Sequence, residues 1–222
     1  MRKRHAIVVG VVISALIISA GSYAIWRYQQ TSPERLPDRY GGNIAQLHSQ
    51  TDADGDDLDD QVDVLQSALA YIATRPKYQS KYYGAGYPDD GYGVCTDVVA
   101  FALRGAGYDL MALVNNDIVS NPDDYDITEP DVNIDFRRVK NLQVYFEHNA
   151  TSLTTDISQI EQWQGGDIVV FNNHIGIVSD RRNATGVPYV IHHNSPWQKS
   201  YEEDILESRD DIVGHYRVEQ HS

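Results

Sequence analysis

The stretch "GGDIVVFNNHIGIVSDRRNATGVPYVIHHN", residues 165–194, decides how this chain folds. Two apolar runs, IVVF and IGIV, are separated only by Asn172-Asn173. Those residues tolerate φ > 0 and mark a two-residue hairpin. RRNATGVP is a second turn, YVIHHN a further strand, and GHYRV at 214–218 another. Strands joined by such short turns are antiparallel neighbours.

Upstream the period changes. Between Leu58 and Thr74, apolar residues recur at Leu58, Val62, Leu65, Leu69 and Ile72, the spacing of a helix that Pro76 stops. Val94–Leu103 reads as a second helix, closed by Gly105 and Gly107. Asp109–Pro130 reads as irregular, with a short apolar patch at Leu110–Val114, and Val139–His148 as one more helix. Helices followed by an antiparallel sheet predict an α+β domain over residues 58–222.

The length of 222 residues suits one such domain with a real core. A net charge of −14 repels a phosphate backbone, which argues against nucleic-acid binding. At the start, Arg2, Lys3 and Arg4 precede an uncharged run from Ala6 to Trp26. As a helix that run is about 30 Å long, one bilayer core. The expectation is one N-terminal transmembrane anchor over 1–28 and a linker over 29–50, with the domain outside the cytoplasmic membrane. A cleaved signal peptide, giving a secreted protein, is the alternative.

Cys95 is the only cysteine, so it has no partner within its own chain. It falls where the second helix begins. Free N–H groups and the helix dipole there lower a thiol's pKa from about 8.5. A thiolate nucleophile also needs a base and a group to orient that base. His174 opens one strand and is the candidate base; His192 and His193 close the next and are candidate orienting groups. A one-residue register slip exchanges the faces of that pair, so the sequence leaves the choice open. In the opposing reading Cys95 is a small buried hydrophobe. A zinc site from Cys95, His174 and His192 lacks the close-spaced ligand pairs of structural zinc. Arg137 and Arg138 are candidates to meet a substrate carboxylate. Tyr82, Tyr83, Tyr87 and Tyr92 are candidates for a groove wall. Asn194 and Asp97 complete the candidate substrate side, although Asp97 equally suits the positive end of its helix.

The acidic run DADGDDLDDQVD, residues 52–63, matches a twelve-residue calcium loop. Asp52, Asp54, Asp56, Asp60 and Asp63 fill positions one, three, five, nine and twelve, and Leu58 offers its carbonyl at seven. Two features differ: glycine stands at position four rather than six, and Asp rather than Glu stands at twelve. The opposing reading is a solvated acidic run that caps the following helix. A structural calcium is therefore expected at 51–63, and no cofactor for catalysis.

Six segments in order, GVCTDVV, VNIDFRRVKNLQVYF, GGDIVVF, HIGIVSD, IHHN and GHYR, resemble the bacterial domain-of-unknown-function 1287 family. That family looks like a relative of the NlpC-type papain-like cysteine peptidases. The resemblance implies a papain-like fold in the bacterial cell envelope, with a Cys nucleophile at a helix start. It implies a base His before an apolar strand and a polar third group on the next strand, which map to Cys95, His174, and His192 or His193. The implied substrate is an amide bond of a peptidoglycan stem peptide. The alternative is a non-catalytic envelope-binding domain stabilised by calcium.

Overall fold

The structure is a computed structural model that describes residue 19 and residues 21–218. Most of the apolar stretch expected to span a membrane, residues 1–18 and 20, lies outside the described residues. Among the described residues no helix is long and apolar enough to cross a membrane.

The domain is α+β. Four helices, α1 (Asp60–Ala73), α2 (Cys95–Gly105), α3 (Leu110–Ser120) and α4 (Val139–Asn149), come before the main sheet. A two-residue parallel ladder joins β1 (Lys77–Tyr78) to β2 (Tyr92–Gly93), just ahead of α2. The main sheet contains β3 (Thr151–Ser152), β4 (Ile168–Phe171), β5 (His174–Arg182), β6 (Pro188–Ile191), β7 (Glu202–Glu203) and β8 (Ile212–Arg217). Their spatial order is β3-β8-β4-β5-β6-β7, and every pairing is antiparallel.

Both faces of this sheet are covered. Ile168, Val170, Ile175, Ile177, Ile191 and Tyr216 belong to one core with α1, α2, α3 and α4. Val169, Phe171, Val178 and Val190 belong to a second, with Trp163, Val187 and Leu206. Strands buried on both sides have no polar face, which is why IVVF reads as an unbroken apolar run. The expected hairpin is present, with Phe171 opposite His174, yet neither Asn172 nor Asn173 adopts positive φ. Positive φ falls instead on Gly166, at +94°, in the turn that feeds β4.

Asp59 caps α1 by accepting the Val62 N–H at 3.3 Å. The helix starts after Leu58, which is left exposed, and buries Val64, Leu65, Ala68 and Ile72. α3 forms where an irregular segment was expected. Its buried stripe is only Leu110, Val114 and Ile118, spaced i, i+4, i+8 among polar neighbours, so its period is faint in sequence. Below the second core, Asp167 is fully buried and accepts from Arg217 Nε at 2.8 Å, Gln61 Nε2 at 2.9 Å and the Gln164 N–H at 2.8 Å.

Part of the 29–50 segment, expected as free linker, is docked on the domain. Gln29 donates its N–H to the Pro196 carbonyl, Ser32 bridges to Ser200, and Tyr201 donates its N–H to Ser32. Arg35 reaches Glu202 at 3.0 Å and also pairs with Asp180. This strap bonds the main chain of residues 196–201, which lead into the β7 edge, and holds the Glu202 side chain.

Gly176 sits between β4 and β6. A Cβ there would lie 2.6 Å from Val190 Cγ1 and 2.9 Å from the Ile191 carbonyl. Gly176→Ala is expected to cost about 1–3 kcal/mol by overpacking, read as a lowered urea midpoint at unchanged slope.

Candidate active site

Cys95 is the first residue of α2. The Asp97 carboxylate reaches back to the Val94 N–H at 2.8 Å and fixes this helix start. The sulfur is partly buried against the first core. The expectation of a lowered thiol pKa is overturned. Burial pushes Cys95 up to about 11, and the Ile175 and Thr96 N–H groups that point at the sulfur offset only part of this. Helix-end donors stabilise a thiolate, but removing the charge from water costs more here.

The Ile175 N–H places the thiol at the start of β5, one residue from His174. Two histidine groups meet at this end of the sheet, on opposite faces. Ile177 lies opposite Ile191, and Val178 opposite Val190. Alternation along both strands then sends His174 and His192 to the second core's face. His174 stacks on Phe171 there, with ring centroids 5.9 Å apart. His174 Nε2 and His192 Nδ1 are 2.8 Å apart, and His192 Nε2 lies 3.3 Å from Glu203 Oε2. The His174–His192 contact is a hydrogen bond, whereas Glu203 is only an ion-pair neighbour of His192 Nε2, which also lies 3.4 Å from Gln198 Nε2. Burial, the neighbouring His192 and then Arg209 push the His174 pKa down to about 3.

His193 takes the other face. Its ring meets Tyr78 edge-on at 5.3 Å and Tyr201 at 5.0 Å, and Tyr201 belongs to the first core. Tyr78 in turn is raised by burial and then by the charge of Cys95, so it lies near the thiol as well as His193. His193 is fully buried, and among the described residues neither ring nitrogen has a hydrogen-bond partner. Burial, then His192, lowers its pKa to about 4. Among the described residues no hydrogen bond joins Cys95 to a histidine.

The strap forms part of the surroundings. The Gln29 side-chain amide bonds both main-chain groups of Tyr78, at 2.8 Å to the carbonyl and 2.6 Å from the N–H. A cavity of about 420 Å³ is lined by Tyr28, Gln29, Lys77, Tyr78 and Tyr92. Lys81 Nζ sits over the Tyr92 ring at 3.9 Å.

The remaining candidates have other positions. Arg137 is buried and grips Asp97 with two bonds, of 2.6 and 2.9 Å, so neither side chain is free for a substrate. Arg138 is exposed, 3.5 Å from Asp135, and lines a separate cleft with Asn172 and Asn173. Asn194 is exposed and its N–H is held by Gln198 Oε1 at 2.6 Å. Asp60 is turned into the domain, where it accepts from the Ala53 N–H at 2.8 Å and from Tyr108 Oη at 2.6 Å, and it is not part of an open loop site. Glu203, Tyr78 and Tyr201 were not expected at the site. Each arrives from a short strand or turn whose sequence carries no periodic signal.

The fold and site thus define an α+β domain with a solitary thiol at a helix start beside a buried histidine pair. The chain matches the family described as a domain of unknown function, DUF1287, over residues 65–218, and it belongs to that family. It is 39% identical over 152 residues to the uncharacterized protein YijF of Escherichia coli (strain K12), covering 64% of this chain and 72% of that protein. No solved structure gives a significant match.

Proposed function

We propose that the chain is an envelope cysteine hydrolase that cleaves an amide bond, with a peptidoglycan stem peptide as substrate and the N-terminal apolar stretch as membrane tether. The observation that carries this reading is the 2.8 Å contact between His174 Nε2 and His192 Nδ1, with His174 next in sequence to Ile175, whose N–H lies close to the Cys95 sulfur. That contact favours His192 over His193 as the orienting group. With His174 Nε2–H donating to His192 Nδ1, and His192 Nε2–H directed at Glu203, His174 Nδ1 keeps a free lone pair.

In this scheme the Cys95 proton passes through one water, around the end of β5, to His174 Nδ1 as the sulfur attacks the carbonyl carbon, because Cys95 packs on the first-core face and His174 on the second. The oxyanion lies near the N–H groups at the start of α2. The C–N bond then breaks, the amine leaves with the proton from His174, and water hydrolyses the thioester. Because the resting thiol is neutral, proton transfer accompanies attack. The papain-like kinship of the fold is part of the same proposal and rests on the order of the helix-start Cys and the strand-borne His.

One observation favours a non-catalytic envelope-binding domain: burial holds the Cys95 thiol up at about 11, as in a structural cysteine. Muropeptide cleavage followed by mass spectrometry separates the two. The expected result is no fragment release by Cys95→Ala and a loss of about 10²–10⁴-fold in His174→Ala. A far smaller loss is expected in His193→Ala. Cleavage undiminished in Cys95→Ala would overturn the hydrolase. A larger loss in His193→Ala than in His174→Ala would transfer the base role to His193.

A further inference from the structure

We propose that the domain lies against the bilayer entered by its own N-terminal apolar stretch, with Trp197 seated in the interface and the cavity beside Tyr78 opening at the lipid headgroups. This orientation rests on the tether reading above and is independent of the Cys95 chemistry.

The junction between the stretch and the domain has no slack. The uncharged run from Ala6 ends at Trp26, residues 21–27 are helical, and the Tyr28 N–H still bonds the Ala24 carbonyl at 3.0 Å. The next residue is already fixed to the domain. Gln29 donates its N–H to the Pro196 carbonyl at 2.8 Å, and its side-chain amide bonds both main-chain groups of Tyr78. Gln29 is three residues beyond Trp26, a reach of about 10 Å even when fully extended. A spanning run with Trp26 at its boundary therefore holds this end of the domain at the membrane surface.

The domain surface at the junction has the chemistry of an interface. Trp197, in the turn at 196–197, is 53% exposed, and its ring meets Tyr28 edge-on with centroids 5.3 Å apart. Trp26 and Tyr28 are exposed as well. Indole and phenol rings are favoured at headgroup level, where the ring body leaves water and the polar tip stays wet. Charge points the same way. The chain carries −14 overall, which an anionic bilayer repels. At the junction the sign is reversed: Lys77 and Lys199 are exposed, and the cavity lined by Tyr28, Gln29, Lys77, Tyr78 and Tyr92 has no acidic residue in its wall. Tyr78 also lies near the Cys95 thiol, so approach to Cys95 from this side runs along the bilayer surface.

The test is tryptophan quenching in the full chain, reconstituted into vesicles of phosphatidylcholine and phosphatidylglycerol with or without bromine on the upper acyl chain. The chain has three tryptophans, and Trp26 would be quenched in any tethered arrangement, so the Trp26→Phe variant is read. Brominated lipid should remove about half of its emission, the share of Trp197 beside Trp163. Adding Trp197→Phe should abolish the quenching, because Trp163 is fully buried in the second core. No quenching in Trp26→Phe would overturn the docked orientation and leave the tether standing. Quenching undiminished by Trp197→Phe would overturn the contact of this turn with lipid. A chain that fails to float with the vesicles in a density gradient would overturn tether and orientation together. The Cys95 chemistry is judged separately, by muropeptide cleavage.

Discussion

Arg137→Ala is expected to lower the stability of the domain by about 3–5 kcal/mol. The guanidinium holds Asp97 with two bonds and donates a third, at 2.7 Å, to the Lys81 carbonyl. Asp97 is fully buried, so removing Arg137 leaves a carboxylate without its counter-charge. The same carboxylate anchors the Val94 N–H, and the loss therefore reaches the start of α2, where Cys95 sits. The urea midpoint should fall with little change in slope. In the double variant Arg137→Met, Asp97→Leu the loss should be smaller than in Arg137→Ala, because no buried charge is stranded. Equal loss in both would mean that Arg137 contributes packing area rather than charge. Arg137 would then act as a structural element in either case, not as the carboxylate anchor that its residue type suggested.

The second large effect is in the pH dependence of Cys95 alkylation. Burial favours the neutral thiol and pushes its pKa up to about 11. His174 and His193, at about 3 and about 4, carry no charge at neutral pH and give the thiolate no imidazolium partner. The sign follows directly. A raised thiol pKa lowers the thiolate fraction at every pH below it, to about 10⁻³ at pH 8. The iodoacetamide rate should rise about tenfold per pH unit from pH 7 to 10, without a plateau. A plateau with an apparent pKa below about 8.5 would contradict this and show that the free protein holds a thiolate–imidazolium pair.

β4, β5, β6, β8, α1, α2 and α4 were legible because their signals are local, whereas the two-residue strands β1, β2, β3 and β7 carry none. Apolar runs between Gly, Pro and Asn punctuation mark the strands, and Val98, Ala102 and Leu103 give α2 its buried face. α3 was not legible, because a three-residue stripe among Asn and Asp is stabilised by what it packs against rather than by its own pattern. The candidate site was half legible. Cys95, His174 and the His192-His193 pair stand out by residue type and by position at element ends.

Chemistry and order along the chain came from the sequence by itself: a lone thiol at a helix start, histidines at strand ends, and an acidic loop ahead of a helix. Only the tertiary structure decided what each group faces. Pairing of β5 with β6 joined His174 to His192 on one face and sent His193 to the other, a distinction of a single residue in register. Packing of α2 on the sheet reversed the expected direction of the Cys95 pKa. A long-range contact with Tyr108, together with the Ala53 N–H, fixed the Asp60 carboxylate inside the domain. Residue type and period act over a few neighbours, whereas burial, charge pairing and pKa depend on groups brought together from distant parts of the chain.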